Sequence, residues 1–207
     1  MPEQGAPSFK AKLEAELAAS LADCGADIVK VLLCDAARPI WKYAEGNALF
    51  DDFEMLVDYW HSLEHLSLAA EALFGKSTDA TRTWYDKYAA KLKEEDLGAQ
   101  SILRSMDYHA KTSGLSGSRQ KALATQRTFF QRNKAKMTYA DFRRRGLPIG
   151  SGPVEATCKT IVIARLCRSG MRWSREGGQR ILDLRTYVKS NRWDAFWEQY
   201  KELRFAV

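Results

Sequence analysis

Two short runs of strand character stand early in the chain, and almost everything after them reads as helix. The first, ADIVKVLLCD, has a β-branched, apolar centre and ends at Asp35, the pattern of a buried strand. The second, FEMLVDYWH, ends near Asp58. Two strands alone do not make a stable sheet. Either the sheet is small and covered by helices, or other strands have been lost upstream.

The rest of the pattern is helical. Before the first strand, Phe9, Leu13, Leu17 and Leu21 recur at helical spacing, with Ser8 as the expected N-cap and Gly25 as the stop. Arg38-Pro39 breaks the chain, and IWKYAEGN forms a short helix. HSLEHLSLAAEALFG is a helix that Gly75 ends. From about Thr78 to Arg145 three helices and a shorter one, TYADFRRRG, follow, with SGLSGS as a loop between the second and third. GLPIGSGP is a turn-rich break. Beyond it, VEATCKTIVIARLCRSG reads as one long helix, SREGGQRILDLRTYVKS as another, and RWDAFWEQYKELR as the last. The expected fold class is α/β and mostly helical.

Apolar residues make up 45% of the 207, enough for a core, and charged residues 28%. No stretch approaches the ~20 apolar residues of a membrane span, and MPEQGAPSFK lacks the apolar region of a signal peptide. A cytoplasmic protein with no membrane partner is expected. Cys24, Cys34, Cys158 and Cys167 lack metal-binding spacing and read as free thiols.

The net charge of +6 hides a strong asymmetry. Residues 1–100 carry 10 Lys+Arg against 18 Asp+Glu, a net of −8, and residues 101–207 carry 22 against 8, a net of +14. A half-chain this basic suits a polyanion, with nucleic acid as the obvious candidate. A solvated basic surface is the plainer alternative. In the last third, Lys159, Arg165, Arg168, Arg172 and Arg175 are the candidate phosphate contacts. Trp173, Trp193 and Trp197 are interleaved with them, and Phe196 and Trp197 are expected in the core.

Three acids stand where metal chemistry would place them. Asp35 and Asp58 end the two strands, and ligands gather at the carboxyl ends of strands in open α/β sheets. Glu155 lies in the first turn after GSGP. Carboxylates of this kind suit Mg²⁺ or Mn²⁺, and two such ions roughly 4 Å apart clamp both oxygens in a phosphoryl transfer. Each acid also has a simpler reading. An Asp after a strand is often a turn-former or helix cap, and Glu155 fits the N3 position of a helix capped by Ser151 or Gly152. Glu155 and Lys159 are spaced for an ion pair. His61 and His65 have i,i+4 spacing but no evident third ligand, so packing or hydrogen bonding is expected of them.

The stretch GLPIGSGPVEATCKTIVIARLCRSGMRWSREGGQRILDLR resembles the carboxy-terminal region of bacterial insertion-sequence DDE transposases of the ISKra group. VLLCDAARPIWKY, VDYWHSLEHLSLAAEALFG and RWDAFW resemble further segments of the same family, in the same order, over nearly the whole chain. The resemblance implies an RNase H-like core interrupted by a helical insertion. It divides the chain into a partial core at 1–61, an all-helical insertion at 62–145 and a basic region bearing Glu155 at 146–207. It makes Asp35 the second catalytic Asp and Glu155 the final Glu, both metal ligands in a two-metal Mg²⁺ or Mn²⁺ site. Asp58 is a lesser catalytic candidate, and His61 supports the site from outside. Ala36 stands where the family usually has Gly, and Cys167 where a basic residue is common.

The family's first Asp lies on a strand ahead of the first helix. Only eight residues precede Phe9 here, too few for three strands of ~5–6 residues. The expectation is an amino-terminally truncated transposase, inactive alone, whose parent binds and cuts double-stranded DNA at terminal repeats and joins it to a target. Its expected place is at the nucleoid, as a possible homo-oligomer. The alternative is a non-catalytic DNA-binding or regulatory remnant, and a third reading is another RNase H-like nuclease.

Overall fold

The computed structural model describes residues 5–22, 24–25 and 27–205. These form two compact units, Met1–Gly150 and Ser151–Val207. In the first, α1 (Gly5–Ala22) leads to β1 (Val31–Cys34), α2 (Arg38–Glu45), β2 (Glu54–Val57) and then α3 (Tyr59–Phe74), α4 (Asp79–Glu94), α5 (Gly98–Thr112), α6 (Gly117–Asn133) and α7 (Tyr139–Arg144). Helix α1 starts ahead of Ser8, which therefore lies inside the helix rather than capping it. Its apolar Phe9 and Leu13 point outward. Glu14 ties the helix to the rest of the unit, accepting hydrogen bonds from Tyr43 Oη and, at 2.8 Å, from Asn47 Nδ2.

The two strands pair in parallel, with Val31 opposite Glu54 and Cys34 opposite Val57. Among the described residues the sheet has these two strands alone. Parallel strands need a crossover, which α2 supplies. Leu56 and Val57 are fully buried, while all four residues of β1 are only half-buried. Of the two possibilities left by the sequence, a small sheet backed by helices is what the described residues contain.

The core lies among the helices. Leu66, Ala69 and Leu73 of α3 meet Trp84 and Leu92 of α4, Ile102 and Met106 of α5, Phe130 of α6, and Tyr139 and Phe142 of α7. Two buried polar contacts lie within it: Ser62 Oγ and Tyr139 Oη are 2.7 Å apart, and Trp84 Nε1 donates to Ser105 Oγ at 2.8 Å. Gly98 lets α4 turn tightly into α5, because a Cβ there would lie 2.4 Å from the Lys91 carbonyl oxygen. Helix α3 runs through residue 61 unbroken.

In the second unit, α8 (Gly152–Cys158) passes through a π-helical stretch (Lys159–Ile163) into α9 (Ala164–Leu166), followed by α10 (Arg175–Lys189) and α11 (Trp193–Phe205). The single long helix expected from Val154 is thus interrupted by five residues of wider winding and ends before Cys167. Gly170, at φ +79°, turns the chain. Trp173 Nε1 then donates to the Arg165 carbonyl at 2.9 Å, and the Ser174 side chain caps α10 by accepting from Gly177 N at 3.0 Å. Buried Gly178 packs on Trp173 Cβ and Leu166 Cδ2. The SGMRWSREGG segment is therefore a folded corner with its own internal contacts.

Ala36, directly after Asp35, sits at φ +64°. A side chain in this left-handed region costs roughly 1–2 kcal/mol, partly offset by the entropy that Gly would lose. Ala36→Gly is expected to stabilise the protein by up to ~1 kcal/mol, read as a higher urea midpoint at unchanged slope.

Candidate functional site

The parallel register brings Asp35 and Asp58 out at the same end of the sheet, since the Asp58 amide donates to the Cys34 carbonyl at 2.8 Å. Their surroundings differ. Asp35 is exposed, and its Oδ1 accepts from Ala37 N at 3.1 Å, a local turn that fixes the carboxylate at the strand end. Asp58 is buried, with 5% of its surface exposed. Its Oδ1 caps α3, accepting from Trp60 N at 2.7 Å and His61 N at 3.3 Å. The Tyr59 amide donates to the Ile149 carbonyl at 2.9 Å. Gly150 lies against the Trp60 indole, where a Cβ would come within 2.8 Å. The last residues of the first unit, Ile149 and Gly150, thus lie against Tyr59 and Trp60.

Glu155 belongs to the second unit. It is exposed at the fourth position of α8, which Ser151 precedes as N-cap and Pro153 stiffens. Ser151 Oγ donates to its Oε1 at 3.2 Å, and no ion pair joins Glu155 to Lys159. Asp35 and Glu155 each offer a hard oxygen donor of the kind Mg²⁺ prefers. Among the described residues, no three His, Cys, Asp or Glu side chains gather as a metal site.

His61 and His65 are held by packing. His61 Nδ1 lies 3.1 Å from Glu64 Oε2, and the two imidazoles meet edge to face. His65 stacks on Phe129 with ring centroids 3.6 Å apart, and its Nδ1 lies 2.6 Å from Gln126 Oε1. Burial pushes its pKa below the ordinary histidine value, outweighing the Gln126 bond.

Among the candidate phosphate contacts, Lys159, Arg168 and Arg172 are exposed, and no carboxylate among the described residues pairs with them. Arg165 is exposed with a 3.4 Å contact to the Ala164 carbonyl. Arg175 opens α10. Arg185, by contrast, is half-buried and donates to the Thr160 carbonyl, which makes it a structural arginine. Phe196 is half-buried against Tyr187, as expected of a core residue, but Trp197 is 46% exposed and stacks only along its own helix on Trp193 and Tyr200. Along α11, Trp193, Trp197 and Tyr200 are all exposed.

A feature with no sequence motif is an open cleft of about 640 Å³ in the first unit, between α2 and α6. Ala36, next to Asp35, lines it, as do Trp41, His65 and Phe129. The residues that form it come from positions 36–45, 65 and 124–136, so only tertiary contact brings them together.

Comparison with protein-family models, with curated proteins and with solved structures gives no match.

Two outcomes follow from this geometry. Asp58→Ala is expected to cost about 1–2 kcal/mol through loss of the α3 cap, whereas Asp58→Asn, which keeps an acceptor oxygen, costs less; urea titrations separate the two. For His65, the folded pKa lies below the unfolded value near 6.5. The unfolded chain then takes up the proton first, so stability present above about pH 6.5 is lost as pH falls further. His65→Phe is expected to flatten that slope in stability measured between about pH 7 and 5.

Proposed function

We propose that this chain is a DNA-binding and DNA-processing protein of the DDE transposase kind, with a partial RNase H-like core. In this reading Asp35 and Glu155 are the second and third catalytic acids and hold Mg²⁺ or Mn²⁺. The observation that carries it is the position of Asp35: an exposed carboxylate at the carboxyl end of a parallel strand, beside a second strand end and above a helical layer. The segment resemblance through GSGPVE and SGMRWS adds the exposed cations Lys159, Arg165, Arg168 and Arg172 as contacts to double-stranded DNA. In such a site, bound metal would supply Lewis acidity toward a phosphodiester. The contribution of the chain is to fix Asp35 through its turn onto Ala37 N and to hold Glu155 at the start of α8.

The resembled family's first Asp also has a place in this reading. Neither strand has another partner among the described residues, and the half-buried β1 can pair with a further strand bearing it. A non-catalytic DNA-binding role for the chain alone is favoured by the same observation, since two carboxylates do not complete a three-acid site.

The reading is tested with a labelled duplex carrying the terminal repeat. Salt-dependent binding is expected, and Arg168→Gln with Arg172→Gln should lower the slope of log affinity against log salt by about two, at roughly 0.9 per phosphate contact. In Mn²⁺ the chain alone is expected not to nick. Nicking abolished by Glu155→Ala would establish a complete site and overturn the non-catalytic role, whereas no DNA binding at low salt would sink the reading.

A further inference from the structure

The cleft between α2 and α6 is strongly cationic. Arg38 and Lys42 of α2 line one side, and Arg132 and Lys136 line the other. Against these four cations stands one carboxylate, Glu45, a net of three positive charges. Glu45 is already engaged with Lys136 at 3.1 Å. Arg38, Lys42 and Arg132 are exposed and have no acidic partner within 4 Å among the described residues. Exposed cations cluster at this density only at a cost in mutual repulsion, which a bound anion relieves.

Two further observations point to a ligand. Trp41 forms part of the lining with only 6% of its surface exposed, and its Nε1 is a buried donor with no acceptor among the described residues. Lys136 lies 5.3 Å over the Trp41 ring, which holds its ammonium at the cleft rather than out in solvent. The local charge is also concentrated in sequence. Residues 101–150 carry 11 Lys+Arg against 2 Asp+Glu, a net of +9 that exceeds the +5 of residues 151–207, which carry 11 against 6.

We propose that this cleft seats the phosphate backbone of DNA, with Arg38, Lys42, Arg132 and Lys136 as the contacts, and leads the strand to the end of β1 where Asp35 stands. The proposal rests on the DNA reading above and assigns it a second binding surface, in the first unit, separate from the cations of α8–α10. An acidic polypeptide is the less favoured occupant: the Asp35 carboxylate by itself repels either polyanion alike, and only the DNA reading above, with a divalent ion held at Asp35, gives the bound strand a reason to reach it.

The test is fluorescence anisotropy of the whole chain with a labelled DNA duplex between about 50 and 200 mM salt. Lys42→Gln with Arg132→Gln is compared with the charge-retaining pair Lys42→Arg with Arg132→Lys, circular dichroism confirming that each is folded. The Gln pair is expected to lower the salt slope by about two, at roughly 0.9 per lost phosphate contact, and the charge-retaining pair to restore it. An unchanged slope and affinity in the Gln pair, with the Arg168 and Arg172 variants still weakened, would overturn the cleft alone and leave the DNA reading standing. Absence of binding by the unaltered chain would overturn both. Tight binding of poly-glutamate that the Gln pair abolishes, with DNA affinity unaffected, would also overturn the proposal.

Discussion

The first unit depends on the hydrogen bonds that converge at Asp58. Its amide closes the parallel ladder onto Cys34, its carboxylate caps α3, and the next amide holds the Ile149 carbonyl. Two adjacent residues, Asp58 and Tyr59, therefore join both strands, the first core helix and the last segment of the unit. A buried carboxylate is costly without such partners, and here backbone N–H groups at a helix start provide them. This explains why two four-residue strands suffice as a platform. The stability lies in α3 to α7, and the sheet is fastened to them at one end. Asp35 gains its position from this arrangement without sharing in the burial.

The helices are held by apolar packing far more than by charge. Arg127 with Asp107, Arg144 with Asp96, and Arg145 with Glu54 and Asp141 are exposed pairs, each worth ~0–1 kcal/mol. What such pairs do decide is which cations remain available. They consume basic residues of α6 and α7 on the faces toward α5, α4 and β2, and leave Arg132 without an acidic partner among the described residues, while Lys136 shares the cleft's one carboxylate, Glu45. The cleft is electropositive because its neighbours are neutralised and it is not.

Much of this was legible in the sequence. The strands, their acids and every helix of the first unit appear within a few residues of where apolar periodicity and Gly or Asp punctuation put them. Ala36 is the clearest case, since the position where the resembled family usually has Gly does lie in the left-handed region. Ser8 was misread because a capping side chain and a first-turn Ser look alike when the helix begins ahead of it. Trp197 was misread because an aromatic stripe at helical spacing announces burial only if another element covers it. The π-helical stretch left no signal, as one extra residue per turn shifts periodicity by less than the window resolves. The cleft was illegible for a different reason: its cations are separated by about ninety residues, and four unremarkable Lys and Arg positions become a site only through the packing of α2, α3 and α6.

The second unit poses the opposite physical problem. Among its described residues Gly178 alone is buried, and no large apolar side chain is. Val188, Trp193, Trp197, Leu203 and Phe205 are all exposed. A unit under 60 residues has little margin even with a packed core. Its order rests on local devices: the Ser174 cap, the Trp173 bond to Arg165, and Arg185 on the Thr160 carbonyl. Set against these is the repulsion of a net +5 charge. Both terms point the same way. An anionic partner laid on Lys159, Arg165, Arg168 and Arg172 would remove the repulsion and add order to a segment that has few internal contacts to lose, so that binding and folding of this unit are coupled in sign.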